Sequence, residues 1–204
     1  MGIENLVISG GGPTGFVSYG AMHYLHKKNY WNIKNIKSIY SCSVGSWLAV
    51  LISLRCKWSI IKDYIIKRPW ITVVESNSKS LLDSYMGNGL LNIEFVYETI
   101  RPLFESKNLS KMTTMLDFYR FNGIELHLFS TKISKHNMKK VDISYKTHPN
   151  LPLIIALNMS VSFPVLFEPV LYKKQMYIDG GILNNFPLND CIDNVKDENT
   201  ILAF

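Results

Sequence analysis

Ile39-Tyr40-Ser41-Cys42-Ser43-Val44-Gly45-Ser46-Trp47-Leu48-Ala49-Val50-Leu51-Ile52 runs from a β-forming pair through a turn of small residues straight into an apolar stretch. Residues 36–40 read as a strand and residues 46–55 as a helix, with Ser43 at the junction. The same layout stands earlier in the chain. There Leu6-Val7-Ile8 precedes Gly10-Gly11-Gly12-Pro13-Thr14-Gly15, and Pro13 suits the first position of a following helix. Strand, turn and helix twice in succession imply parallel strands joined by helical crossovers, an α/β chain. The first helix is expected to turn Phe16, Val17, Ala21, Tyr24 and Leu25 to one face, and Lys27 and Lys28 at its end complement the helix dipole.

The middle of the chain is less regular. Arg68-Pro69-Trp70 breaks a helix, residues 75–84 are polar enough for a mobile segment, and Gly87-Asn88-Gly89 is a turn. Residues 93–104 read as an amphipathic helix, and 112–119 as another capped by Ser110. Residues 124–131 alternate as a strand, 138–143 form a weaker one, and 151–159 an apolar helix. A short strand, 176–178, delivers Asp179-Gly180-Gly181, and 200–204 is a last strand. With no repeat and no linker, residues 1–204 read as one domain.

The composition is 47% hydrophobic and 19% charged, which excludes a disordered chain. Cys42, Cys56 and Cys191 have spacings of neither a disulfide framework nor a metal site. Met1-Gly2-Ile3-Glu4 lacks the basic and apolar regions of a signal peptide, and residues 47–54 are too few to span a bilayer. The expected setting is cytoplasmic, with membrane contact peripheral. The net charge is +6, and no Asp or Glu falls between Glu4 and Asp63, where Lys27, Lys28, Lys34, Lys37, Arg55, Lys57 and Lys62 lie. These cations are either solvated side chains or an attraction to anionic membranes. No nucleic-acid motif with interleaved aromatics is present, so nucleic acid is not an expected partner.

Acyl transfer needs a nucleophile, a base and donors for an oxyanion. Ser41-x-Ser43-x-Gly45 is a nucleophile elbow with serine in place of its first glycine, and its register selects Ser43. Cys42 would point away from the position the elbow presents. Gly10-Gly11-Gly12 exposes backbone N–H groups at a helix start, a natural anion site. The loop also matches G-x-G-x-x-G, but dinucleotide binding needs an acid about twenty residues on, and the acid-free stretch removes it. None of His23, His26, His127, His136 and His148 follows Asp179, so the usual order of nucleophile, acid and histidine fails. A dyad remains, with Asp179 taking the Ser43 proton directly. His23 and His26, three apart on a helix, have no matching ligand cluster and read as surface residues.

The motifs at 10–15, 41–45 and 179–181 resemble the patatin-like phospholipase family over nearly the whole chain. Ser160-Val161-Ser162-Phe163-Pro164, Phe167-Glu168-Pro169 and Asn184-Asn185-Phe186-Pro187 support the match, as does Gly123-Ile124-Glu125-Leu126-His127 as a central strand. The resemblance implies a three-layer α/β/α sandwich with a mainly parallel sheet, hydrolysing acyl esters of phospholipids or other lipids. It implies Ser43 as nucleophile, Asp179 as base, and the backbone of Gly10, Gly11 and Gly12 with Val44 as oxyanion hole. Gly15, Ser41, Gly45, Gly180 and Gly181 are its supporting motif positions. No metal or other cofactor is implied. Two positions depart from the family pattern: Thr14 stands where Arg or Lys is frequent, and Ser41 where glycine is. These departures leave a second reading open, a non-catalytic module on membrane surfaces. Trp58, Trp70, Tyr85 and Met86 are either core or the walls of an acyl pocket or lid.

Overall fold

The computed structural model describes residues 2–77 and 89–204. Its centre is a run of parallel strands in the order β7 (Ile201–Ala203), β1 (Asn5–Ile8), β2 (Ser38–Cys42) and β3 (Glu125–Ile133). Antiparallel strands β4 (Met138–Ile143), β5 (Val170–Tyr172) and β6 (Gln175–Asp179) extend it. The helices on the N-terminal half are α1 (Gly15–Lys27), α2 (Val44–Ser53), α3 (Trp58–Lys67) and α4 (Trp70–Asn77). Then follow α5 (Ile93–Glu98), α6 (Arg101–Glu105), α7 (Met115–Asn122), α8 (Leu153–Val161), α9 (Gly181–Asn184) and α10 (Leu188–Ile192).

Alternation along the strands divides the side chains between two faces. Leu6, Ile8, Ile39, Leu126 and Leu128 join the larger core with α1, α2 and α8. Val7, Tyr40, Cys42 and Phe129 face the other way and meet Cys191 of α10 in a smaller core. Helices thus cover both faces, thickly on one and thinly on the other. Among the described residues no helix is long and apolar enough to cross a membrane.

Strand β3 positions the site. Its Leu128 and Phe129 pair with β2 on one edge and β4 on the other, while Ser130 to Ile133 pair with β4 and β6. A strand has only two edges, so β2 and β6 must share one, end to end. Cys42 pairs with Phe129 and Asp179 with Ser130, neighbouring positions on that edge. The end of β2 and the end of β6 therefore converge.

Several expectations are corrected. On α1 the buried residues are Gly15, Tyr19 and Met22, whereas Phe16, Val17 and Tyr24 stand in solvent. This helix has apolar residues on more than one side, and helical period alone does not choose between them. The helix expected over 93–104 is two, because Pro102 has no N–H to continue one and instead opens the next. Thr114, not Ser110, caps α7, in a reciprocal capping box with Asp117. Trp58 packs on Tyr19 and His23, and Trp70 on Trp47 and Tyr64. Residues 78–84, Gly87, Asn88, Tyr85 and Met86 lie outside the described residues.

Candidate active site

Ser43 is the first residue past β2, at φ 53° and ψ −128°. A non-glycine residue held there costs on the order of 1–3 kcal/mol, so the surroundings must hold it. Its N–H donates to Ser160 Oγ at 3.2 Å, and its carbonyl accepts from Ser46 and Trp47 in the first turn of α2. Ser160 Oγ also donates to the Phe129 carbonyl at 2.7 Å and meets Ser46 Oγ at 2.8 Å. A hydroxyl has one proton, so the Ser46 hydroxyl must be the donor in that pair. Ser41 Oγ lies 3.2 Å from Ser46 Oγ and donates to the His127 carbonyl at 3.3 Å. Ser41 thus belongs to a buried hydroxyl chain beneath the elbow, which is where the extra side chain fits. A Cβ on Gly45 would lie 2.4 Å from the Ile8 carbonyl oxygen, so only glycine lets α2 begin this close to β1.

Asp179, 1% exposed, faces Ser43. The Ser43 hydroxyl donates to Oδ2 at 2.6 Å, and the Gly181 N–H holds Oδ1 at 2.7 Å. Burial pushes the carboxyl pKa above the ordinary range, against the hydrogen bonds from Ser43, Gly181 and Cys42, which draw it down. A Cβ on Gly180 would sit 2.2 Å from the Phe129 carbonyl oxygen, so the turn presses directly on β3. Cys42 Sγ lies 3.9 Å from Asp179 Oδ1. Burial and the neighbouring carboxylate push its thiol pKa far up, which leaves it protonated and unreactive.

The glycine loop lies against the same serine: a Cβ on Gly10 would come within 3.0 Å of the Ser43 Cβ. Gly10 is not free to bind an oxyanion. Its N–H donates to the Asn185 carbonyl at 3.0 Å, and its own carbonyl accepts from Asn185 Nδ2 at 3.3 Å. Among the described residues the N–H groups of Gly11, Gly12 and Val44 have no partner. Gly12 takes φ 55° at the head of a 3-10 turn, and Gly15 packs on the Val44 side chain. Thr14 donates through both Oγ1 (2.9 Å) and N–H (3.2 Å) to the Gly11 carbonyl, tying the loop back. Residues 160–164 and 184–187 are supporting pieces of the family resemblance. Their bonds to Ser43 and Gly10 join residues more than a hundred positions apart, and no local pattern carries such a signal.

Other polar groups lie apart from this pair. His127 stacks on Tyr40 at 4.0 Å, between Asp142 and Glu125, and all four line a polar cavity of about 550 Å³. Burial would lower the His127 pKa, but the two carboxylates outweigh it and raise the value. His23 stacks on Trp58, and His26 Nδ1 lies 3.1 Å from the Trp31 carbonyl, so both are half-buried packing groups and not surface ones.

A buried Asp bonded to an elbow serine beside a glycine loop, on an α/β sheet, fits an acyl hydrolase scaffold. The family model described as Patatin-like phospholipase matches residues 6–192, and the chain belongs to that family. It is 26% identical over 189 residues to a probable lipid hydrolase of Invertebrate iridescent virus 6, covering 93% of this chain and 63% of the relative. It is 27% identical over 186 residues to an uncharacterised protein of Acanthamoeba polyphaga mimivirus, covering 91% and 60%. The chain therefore spans less than two thirds of the length of these relatives. VipD from Legionella pneumophila superposes with a TM-score of 0.67 at 18% identity, over 100% of this chain and 49% of its own. ExoU of Pseudomonas aeruginosa, solved with SpcU, gives 0.53 at 19% identity, over 80% and 39%. At these identities the likeness is one of fold.

Proposed function

We propose that the protein hydrolyses fatty acyl esters of lipids, in the manner of a phospholipase A, through an acyl-Ser43 intermediate. The observation that carries this reading is the 2.6 Å hydrogen bond from Ser43 Oγ to Asp179 Oδ2, with the other carboxylate oxygen held by Gly181. Asp179 takes the hydroxyl proton as Ser43 Oγ attacks the ester carbonyl carbon. The oxyanion is received by the N–H groups of Gly11, Gly12 and Val44. Collapse breaks the ester C–O bond, and Asp179 returns its proton to the departing alcohol. Water then attacks the acyl-serine and gives Asp179 a proton. Ser43 leaves with that proton, and the fatty acid is released. Burial supports the role of Asp179, since a carboxylate with a raised pKa is a stronger base.

The two departures that favour a non-catalytic module are each accommodated: Ser41 lies in the hydroxyl chain, and Thr14 braces the glycine loop. The test is labelling with a fluorophosphonate and mass-spectrometric location of the adduct, beside turnover of a chromogenic acyl ester. Label on Ser43, with turnover lost in Ser43→Ala and reduced roughly 100-fold or more in Asp179→Asn, is the expected result. Folded protein that takes no label, or keeps turning over ester without Ser43, refutes it.

A further inference from the structure

Three segments leave the Ser43–Asp179 pair, and each puts large apolar side chains into solvent. Phe16 and Val17, 54% and 74% exposed, open α1 directly after the glycine loop. Phe163 and Val165, 50% and 77% exposed, follow α8, beyond the Ser162 carbonyl that accepts the Asp179 N–H at 2.9 Å. Ile182 and Phe186, 40% and 44% exposed, flank Asn185 just past the acidic turn. Residues 5–26, 149–167 and 180–189 contain no Asp, Glu, Lys or Arg, in a chain that is 19% charged. Apolar exposure and loss of charge coincide around the nucleophile, the mark of a contact surface. Val165 adds an independent sign. It stands at φ 77°, an outlier for a β-branched residue, with its side chain displayed outward.

We propose that this uncharged apolar rim is the surface on which the protein rests against a zwitterionic lipid bilayer, an inference that builds on the lipid-hydrolase reading. Whatever covers the rim also covers Ser43. A bilayer brings acyl esters there, whereas a protein partner or a second copy would close the site. Among the described residues the three rim segments offer no Lys or Arg to an anionic headgroup, so attachment depends on apolar insertion and resists salt. The net charge of +6 is carried elsewhere, as at Lys27 and Lys28 on the far end of α1.

The experiment is co-sedimentation of Ser43→Ala protein with phosphatidylcholine vesicles at low and high salt, so that no product alters the vesicles. Equal binding at both salts is expected. In the same background Val17→Asp, whose charge suits a helix start, should weaken binding about tenfold or more. Val165→Gly should weaken binding while raising Tm, since glycine relieves the strain. Binding that needs anionic lipid, ignores both substitutions, or gives way to a dimer dissociated by Val17→Asp overturns the proposal. Wild-type turnover of a water-soluble short-chain ester separates the two readings. Turnover without vesicle binding sinks only the docking surface, and vesicle binding without turnover sinks only the hydrolase.

Discussion

Replacing Ser160 by alanine removes the acceptor that anchors the backbone of Ser43. In the wild type the Ser43 N–H reaches Ser160 Oγ at 3.2 Å, and among the described residues it has no other partner. An unpaired N–H in this setting costs about 1–3 kcal/mol. The Ser46 hydroxyl also loses Ser160, but Ser41 Oγ at 3.2 Å can take its proton, so that loss is small. A net destabilisation of about 2 kcal/mol corresponds to a Tm lower by about 4–8 °C for a chain of this size. The same bond holds Ser43 at φ 53°, and about 2 kcal/mol less support for that conformer implies a turnover roughly 30-fold slower. Scanning calorimetry gives the first quantity, and the rate of fluorophosphonate labelling gives the second without involving a lipid. Ser46→Ala is the comparison, because Ser160 still accepts the Ser43 N–H, and labelling should stay within a few-fold of wild type. A Ser160→Ala protein that labels within twofold of wild type, whatever its Tm, refutes the positioning argument.

Asp179 must be ionised to accept a proton and its pKa is raised by burial, so kcat/KM should climb with pH through a limb above the ordinary carboxylate value. In stability the sign is opposite: the contribution of Asp179 is complete below its unfolded pKa and is lost as pH rises through the raised folded value. At neutral pH Asp179→Asn, slowed roughly 100-fold or more in turnover, should therefore be at least as stable as wild type, and a lower Tm would contradict the burial argument. The β5–β6 hairpin turns on Lys173 and Lys174, both at positive φ (47° and 62°), a conformation that suits Asn-Gly. Lys173→Asn with Lys174→Gly should add about 1 kcal/mol of stability, read by denaturant unfolding, with ester turnover unchanged.

The strand–turn–helix pair, the elbow at Ser43 and the turn at Asp179 were legible as local structure because each is fixed by local chemistry: small residues at an elbow, glycines in a turn, an apolar run on either side. What was not legible is tertiary. The hydroxyl chain from Ser41 to Ser160 joins three elements, and the use of the Gly10 N–H depends on Asn185. The misread face of α1 has a physical origin, since Tyr19 and Met22 serve the core while Phe16 and Val17 serve the rim, and both are apolar. Strand β5 went unseen because its hairpin turn is Lys-Lys, without the glycine or asparagine that usually marks one.

The shared edge of β3 makes the spacing of Ser43 and Asp179 a discrete quantity. Cys42 and Asp179 occupy neighbouring rungs of one strand, a step of about 3.3 Å, and side chains alternate sides at every step. If β6 slips by one residue, the carboxylate does not drift; it passes to the opposite side of the sheet. On the proposed mechanism, damage transmitted through this hairpin therefore sorts molecules into competent and dead copies, with no graded slowing of all of them. In a partly damaged preparation the burst of labelled serine would fall below one per chain, while each labelled copy reacted at the full rate.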